Sequence, residues 1–226
     1  MSSIKVLRHE IKYSINETTM HNIRDKLKEV LQVDRNINGY MVRSLYFDSI
    51  NDIDYHEKLE GAMIRKKIRM RIYDLESNKV KLEMKSKYDT HQLKESLLID
   101  RQTAEQIIEG NYEVLLNYKD EVAKQIYLIM RENCYRPKSI IEYKRIAFFS
   151  SNDTRVTIDY DIKSCRYHNG EFFKKEINYL DITRPNEVVL EVKYNQFIES
   201  YINYILGNYI ANKQSFSKYV MGRNKE

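Results

Sequence analysis

The stretch from Met63 to Lys87 constrains the fold most, because it alternates apolar and charged residues along two consecutive segments. This period of two is typical of β-strands that turn one face toward a core. The charged faces of the two segments carry Arg65, Lys67, Arg69 and Arg71 in the first and Lys79, Lys81, Glu83, Lys85 and Lys87 in the second. If residues 74–78 form the loop, a symmetric hairpin places Arg71 opposite Lys81, Lys67 opposite Lys85 and Arg69 opposite Glu83.

This predicted register sets like charges directly opposite each other, which destabilises a strand pair. Two interpretations of the charged face follow. The face binds a polyanion, or it points into water as most charged strand faces do. Repetition of the pattern in other strands favours the polyanion.

Length and composition set the remaining bounds. The 226 residues contain 42% hydrophobic residues but only two prolines and six glycines, which predicts one domain over residues 1–226 without a linker. The net charge of +5, from 38 basic and 33 acidic residues, does not indicate a nucleic-acid-binding protein. Two cysteines fit neither a disulfide framework nor a zinc cluster. With no signal peptide or long apolar stretch in the sequence, we expect a cytoplasmic protein.

The order of elements follows from hydrophobic periodicity. Besides the hairpin, strands are predicted over residues 7–15, 40–47, 92–99, 139–149, 155–163, 171–178 and 187–194. Helices are predicted over residues 17–31, 51–59, 103–109, 120–132 and 197–209, with a further turn over 215–221. Asn16 is the predicted N-cap of the first helix.

These elements indicate an α+β fold. A sandwich would hide its apolar faces against each other and would leave the amphipathic helices without a role. About eight strands with charged faces are instead typical of an antiparallel β-barrel tunnel, with a basic lumen and an apolar exterior covered by the amphipathic helices.

The charged strand faces supply the candidate lumen residues. They are Arg8, Glu10, Lys12, Arg69, Arg71, Lys81, Lys85, Lys94, Arg145, Arg155, Asp159, Glu191 and Lys193. Two cations 4 Å apart repel by about 4 kcal/mol at an effective dielectric near 20, a cost that a chain of phosphates removes. Arginine and lysine bind phosphoryl oxygens through charge-assisted hydrogen bonds, and carboxylates among them are ligands for Mg²⁺ or Mn²⁺.

Short motifs along nearly the whole chain resemble the triphosphate tunnel metalloenzyme superfamily, in particular its polyphosphate polymerase branch, the catalytic domain of the vacuolar transporter chaperone. In order they are R-H-E-I-K-Y at 8–13, Y-F-D at 46–48, K-I-R-M-R at 67–71, K-L-E-M-K at 81–85, Y-K-R-I-A-F at 143–148, R-V-T-I-D at 155–159, L-E-V-K-Y at 190–194 and S-F-S-K-Y at 215–219. Each motif alone is weak, whereas the ordered set is specific.

The resemblance implies a tunnel that binds ATP or another triphosphate with Mn²⁺ or Mg²⁺ and extends inorganic polyphosphate. By motif, the catalytic cations would be Lys12, Arg69, Arg71, Lys81, Arg145, Arg155 and Lys218. The substrate-binding residues would be Arg8, Lys85, Lys94, Tyr143, Lys193 and Ser217. The metal ligands would be Glu191, Glu10 and Asp159, each of which has a salt bridge to a neighbouring cation as its structural alternative.

One departure from the superfamily pattern bears on the reaction. Members that cleave or cyclise triphosphates carry E-x-E-x-K on the first strand, whereas this chain has Arg8 at the first position. A cation there weakens a two-metal hydrolytic mechanism and favours long anionic chains. Three hypotheses remain: a polyphosphate polymerase, a triphosphatase in the same tunnel, and a non-catalytic polyanion-binding module. A separate membrane protein is a further partner that the resemblance allows, and no nucleic acid is expected.

Overall fold

The computed structural model describes residues 9–89, 91–168, 170–209 and 213–225. These residues form two compact units, each described by itself below. Unit 1 contains the described residues of Met1–Met41, Tyr143–Lys163 and Asp181–Ser217, and unit 2 those of Val42–Glu142, Ser164–Leu180 and Lys218–Glu226. The prediction of a single domain over residues 1–226 stays a prediction.

The described residues contain ten strands and six α-helices. The strands are β1 (His9–Asn16), β2 (Gln32–Asp34), β3 (Tyr40–Asp48), β4 (Ile64–Ile72), β5 (Lys79–Tyr88), β6 (His91–Asp100), β7 (Arg136–Phe149), β8 (Arg155–Arg166), β9 (Leu180–Asp181) and β10 (Glu187–Tyr194). The helices are α1 (Glu17–Val30), α2 (Ile53–Leu59), α3 (Arg101–Glu109), α4 (Glu121–Glu132), α5 (Ser200–Gly207) and α6 (Lys218–Arg223). None of these six helices is long and apolar enough to cross a membrane.

The strands form one large antiparallel sheet, which confirms the α+β fold but not the predicted closed barrel. Its order is β1-β10-β8-β7-β3-β4-β5-β6, with β2 added to β7 and β9 to β8. The order is open, because no described strand joins β6 to β1. The outer edge of β1 is met instead by the chain near its end, where Tyr13 bridges Lys213 and the Gln214 amide donates to the Lys12 carbonyl at 2.9 Å. Backbone groups satisfied in this way do not need a further strand.

The apolar face of unit 1 lies under two helices, as the sequence predicts. The Asn16 side chain accepts from the Thr19 amide at 2.8 Å and so caps α1. Apolar residues at helical spacing form one face of α1, which packs against the sheet, and α5 packs in the same cluster. The buried cluster includes Met20, Ile23 and Leu27 of α1, Ile202 and Leu206 of α5, and Ile158, Leu190 and Val192 of the sheet.

Unit 2 repeats this arrangement with a larger core. The apolar residues of β4, β5 and β6 pack against α3, α4 and the 3-10 helix Tyr112–Asn117, which the periodicity did not reveal. The cluster includes Ile68, Met70, Leu82, Leu97, Ile107, Leu115, Ile126 and Met130. Because alternate strand residues point to opposite faces, burial of this set leaves the charged residues of β4 and β5 together on the other face.

The strand predicted over residues 171–178 is wrong. Glu171–Phe173 forms a short 3-10 helix that buries Phe172. The buried Arg43 guanidinium donates to the carbonyls of Phe172 at 3.0 Å and Lys174 at 2.6 Å. These carbonyls are therefore not available for hydrogen bonds to a neighbouring strand. Arg43 also bonds the Glu142 carboxylate at 2.7 Å, so the segment is fixed to unit 2 by a side chain.

Candidate functional site

The hairpin of unit 2 has the register that the sequence predicts. Arg71 lies opposite Lys81, Arg69 opposite Glu83 and Lys67 opposite Lys85. The next strand continues these rows, because β6 places Lys94 opposite Lys85 and Ser96 opposite Glu83. We call the resulting set of cations on one face the cationic row, consisting of Lys67, Arg69, Arg71, Lys81, Lys85 and Lys94.

Glu83 lies at the centre of the cationic row and is almost completely buried. Its carboxylate accepts from Arg69 Nε at 2.8 Å, lies 3.7 Å from Arg71 Nη1 and forms an ion pair with Lys94 Nζ. Burial alone would raise the pKa of Glu83, yet Arg69, Arg71 and Lys94 hold it well below its usual range. Glu83 is therefore a carboxylate that stays charged and holds three predicted phosphate-binding cations.

Tyr46 is a member of this site that the sequence did not single out. Arg69 Nη1 donates to its hydroxyl at 3.1 Å, and the side chain is buried on the face of the cationic row. Burial raises the pKa of Tyr46, but Arg69, Arg71 and Lys67 outweigh burial and lower it to about 8. A phenol with this pKa reports strong positive potential, which is the condition for binding phosphate. The signal in the sequence was the Y-F-D motif itself.

The Asp48 carboxylate of the same motif fixes α6 to unit 2. Asp48 is fully buried and accepts from the amides of Asp54 at 2.9 Å and Tyr55 at 3.0 Å, which satisfies the start of α2. The Tyr219 hydroxyl donates to the same carboxylate at 2.6 Å. The Tyr219 ring stacks on Tyr46 with 5.0 Å between centroids. The motif thus fixes α6, whose first residue is the predicted phosphate ligand Lys218.

Further contacts strengthen the attachment of α6. Arg223 makes two hydrogen bonds of 3.0 Å to the carboxylate of Asp52, and Lys67 Nζ lies 5.4 Å from the centroid of the Tyr219 ring. These contacts connect the end of the described chain to the face of the cationic row within unit 2.

Unit 1 has a second charged face, on which cations and carboxylates alternate. We call it the acid–base cluster, consisting of Glu10, Lys12, Arg145, Asp159, Glu191 and Lys193. Strand pairing sets Lys12 opposite Glu191 and Glu10 opposite Lys193. Lys12 Nζ lies 2.8 Å from Glu10 and 3.8 Å from Glu191, and Lys193 pairs with Glu191. Burial opposes the charge on Lys12, but Glu191 and Glu10 raise its pKa above the usual value.

Arg145 and Asp159 form the most buried ion pair of the acid–base cluster. Arg145 Nε and Nη2 donate to the two Asp159 oxygens at 2.6 and 2.7 Å, and Asp159 is fully buried. Burial disfavours the Arg145 charge, whereas Asp159 raises the pKa of Arg145 well above its usual value. The Arg145 guanidinium also lies 5.2 Å from the ring centroid of Tyr143, two residues earlier on β7. This geometry favours the salt-bridge alternative for Asp159.

Two other predicted residues of unit 1, Arg155 and Ser217, are located by contacts of their strand or of a neighbouring residue. Arg155 lies opposite Lys193 of the acid–base cluster and donates to the Asp34 carboxylate at 2.8 Å. Lys12 Nζ donates to the Phe216 carbonyl at 3.0 Å, which brings Phe216, the residue before Ser217, to β1. Arg8 lies outside the described residues.

The carboxylates of unit 1 fit a divalent metal that takes most of its ligands from phosphate and water. Among the described residues there is no group of three His, Cys, Asp or Glu side chains placed to hold a metal ion. Glu10 and Glu191, however, both lie within 4 Å of Lys12 Nζ. Mg²⁺ is bound in proteins by one or two carboxylates plus substrate phosphates, and the number and type of these side chains match that pattern. The predicted ligand roles of Glu191, Glu10 and Asp159 stay predictions.

Comparison with known proteins gives a match to one protein family. A family model described as the VTC domain matches residues 7–225. No curated protein matches the chain.

Two solved structures share the fold at low identity. The first is a candidate adenylyl cyclase from Hippeastrum, described as having a dominant triphosphatase activity, with a TM-score of 0.57, 13% identity and coverage of 96% of this chain and 95% of that chain. The second is a candidate adenylate cyclase from Vibrio parahaemolyticus, with a TM-score of 0.53, 11% identity and coverage of 95% and 96%. At such identities the similarity concerns the fold alone.

Proposed function

The chain belongs to the VTC domain family, and from this premise we propose that it is a metal-dependent polyphosphate polymerase that transfers the terminal phosphoryl group of ATP to a polyphosphate chain. The observation that carries the proposal is the cationic row, whose six cations the strand register brings to one face, with Glu83 in contact with three of them. Cations gathered on one face attract a ligand with many negative charges. Polyphosphate and triphosphate have that property.

Phosphoryl transfer requires positioning and charge neutralisation more than it requires a nucleophilic side chain. An oxygen of the chain end attacks the terminal phosphorus of ATP, a new P–O bond forms, and the bond between that phosphorus and the bridging oxygen breaks to release ADP. Arginines of the cationic row hold phosphoryl oxygens through forked hydrogen bonds, and lysines act as point charges. Tyr143 and Ser217 donate further hydrogen bonds.

Glu191, with Glu10 beside it, would hold Mn²⁺ or Mg²⁺, which neutralises charge that develops on the transferred group. Lys12 and Lys193 orient the two carboxylates, since both lysines pair with them.

The test is to incubate the pure protein with ATP and Mn²⁺, with and without a short polyphosphate primer, and to separate the products by size. Formation of long-chain polyphosphate together with ADP is the expected result. Release of ADP and inorganic phosphate without polymer would contradict the polymerase.

A triphosphatase in the same fold is the second candidate. The observation that favours it is the pairing of Glu10 and Glu191 around Lys12, since two neighbouring carboxylates can support a metal-activated water. Hydrolysis of inorganic triphosphate that exceeds phosphoryl transfer at every primer concentration would support this candidate over the polymerase.

A further inference from the structure

Glu83 lies within the cationic row, where its charge is opposite to that expected of a phosphate-binding surface. The lateral rows on either side of it are cationic, with Lys67, Lys85 and Lys94 on one side and Arg71 and Lys81 on the other. A glutamate at this position repels phosphate, so its presence needs a physical reason.

The contacts of Glu83 show which cations depend on it. One carboxylate oxygen accepts from Arg69 Nε at 2.8 Å and lies 3.7 Å from Arg71 Nη1, and the other pairs with Lys94 Nζ. These three cations come from β4 and β6, on both sides of β5. The carboxylate thus occupies the centre of a ring of donors, in the manner of a phosphoryl group held by arginine and lysine.

Charge balance explains why such a group is needed when no ligand is bound. Arg71 is almost as buried as Glu83, and like charges held close together in a partly dry site repel one another. Replacing a single carboxylate would leave three cations without their common counterion. A bound polyanion would neutralise the same cations, so Glu83 and the ligand compete for Arg69, Arg71 and Lys94.

We propose that Glu83 is a positioning residue that acts as an internal counterion, holding Arg69, Arg71 and Lys94 ready in the ligand-free protein and limiting how tightly they hold a polyanion. The inference rests on the proposed function for its substrate class and goes beyond it in assigning a residue that sets affinity and product release. A polymerase must release or advance its anionic product, and without the Glu83 carboxylate the same cations would hold that product longer.

The first experiment measures binding of inorganic tripolyphosphate to the pure protein by calorimetry, in the wild type and in Glu83→Gln. We expect Glu83→Gln to bind about tenfold more tightly, because one repulsive charge next to the ligand has been removed. Its melting temperature without ligand should fall, and saturating tripolyphosphate should raise that temperature more than in the wild type.

Glu142→Gln is the matched control, because Glu142 also pairs with a buried arginine of unit 2 through a 2.7 Å contact, that of Arg43. Arg43 has two backbone carbonyls as further acceptors and is not part of the cationic row. Glu142→Gln should lower the melting temperature and leave tripolyphosphate affinity unchanged. If Glu83 contributes to stability alone, Glu83→Gln should likewise lower the melting temperature and leave tripolyphosphate affinity unchanged. Unchanged or weaker binding of tripolyphosphate by Glu83→Gln would therefore overturn the inference.

Two additional measurements keep the test decisive. If Glu83→Gln does not fold, the double variant Glu83→Gln/Lys94→Met should restore folding, because it removes one cation together with the carboxylate. Failure of both variants to fold, even with polyphosphate present, overturns the counterion role.

In the ATP assay, Glu83→Gln should lower KM and kcat together, whereas a structural defect raises KM. Binding is measured without turnover, so a protein that binds tripolyphosphate but makes no polymer contradicts the polymerase and leaves the inference standing. A wild type that does not bind tripolyphosphate overturns both.

Discussion

The charged faces of the two units differ in how their cations are balanced. In the acid–base cluster of unit 1, three carboxylates alternate with three cations and Arg145 and Asp159 form a pair of their own. In the cationic row of unit 2, the strand register places six cations on one face, and Glu83 contacts three of them. A balanced face is stable without a ligand, whereas an unbalanced one gains stability from an anion. We propose from this difference that Glu191 of the first face would hold a metal and that the cations of the second face bind phosphate.

The largest effect that tests this contrast concerns Glu191. Glu191→Ala should reduce polyphosphate synthesis by about 10²-fold or more, because charge neutralisation of the transferred group is lost. Tripolyphosphate affinity should stay within a few-fold of the wild type. The measurements are the ATP assay and calorimetry on the same preparations.

Glu187→Gln is the control for Glu191→Ala, since Glu187 lies on the same strand and accepts from the Ser14 hydroxyl at 2.6 Å. It should retain synthesis. Equal loss in both variants would assign the effect to strand β10 and would remove the case for a metal ligand at Glu191. Full synthesis in Glu191→Ala would do the same.

The second prediction concerns stability within the balanced face. Asp159→Asn leaves the buried Arg145 guanidinium without its charged partner and should lower the free energy of unfolding by about 3 kcal/mol, as broken buried ion pairs do. Urea denaturation measures the change. The control is Asp161→Asn on the same strand, whose pair with Lys144 is more than half exposed and should contribute less than about 1 kcal/mol. Equal losses would show that burial does not separate the two pairs.

The third prediction concerns ligand affinity in the unbalanced face. Arg71→Ala removes a nearly buried guanidinium that bonds the Ser44 hydroxyl at 3.1 Å, and it should weaken tripolyphosphate binding by about tenfold or more. Calorimetry measures the affinity. Arg65→Ala on the same strand is the control, because Arg65 donates to the Ala62 carbonyl at 2.6 Å and is expected to leave binding unchanged. Equal weakening would point to general loss of positive charge.

The smallest effect is a pH dependence that originates at Tyr46. Its pKa of about 8 in the folded protein lies below the value of 10.0 expected in the unfolded chain. Between these values the unfolded chain keeps a proton that the folded protein has lost, so the free energy of unfolding should rise with pH, by at most about 1.4 kcal/mol per pH unit. This contribution is complete above pH 10 and is lost as the pH falls through 8.

Comparison with Tyr46→Phe isolates that contribution. The difference in unfolding free energy between wild type and variant should increase from pH 8 to pH 10, and saturating tripolyphosphate should shift the tyrosinate absorbance to higher pH by neutralising the cations. A difference that is flat over this range would contradict the positive potential assigned to the unit 2 face.

Much of this structure could be predicted from local pattern. The alternation in β4 and β5, with a short loop between them, gave the correct partners for Arg71, Arg69 and Lys67. The helical spacing after Asn16 gave the cap and the buried stripe of α1. Both succeed because periodicity and turn length are local properties that a strand pair or an amphipathic helix satisfies by itself.

Predictions failed where a distant side chain or segment changes what the backbone bonds. The sequence predicted a strand over residues 171–178. Arg43, which is distant in sequence, instead donates hydrogen bonds to the carbonyls of Phe172 and Lys174. The described strands do not close into the predicted barrel, and the edge of β1 is met by Lys213 and Gln214. Tyr46 was overlooked because its low pKa depends on cations brought to it by β4.

The sequence by itself determined which residues are charged, which of them share a strand face, and the register of the central hairpin, because side-chain alternation and loop length leave little freedom. Only the tertiary structure decided which of these charges contact one another: Arg145 with Asp159, Lys12 with Glu10 and Glu191, and Arg71 and Lys94 with Glu83. Those pairings depend on the order of strands in the sheet and on burial, which sets how strongly each charge acts on its neighbour, and neither can be read from spacing along the chain.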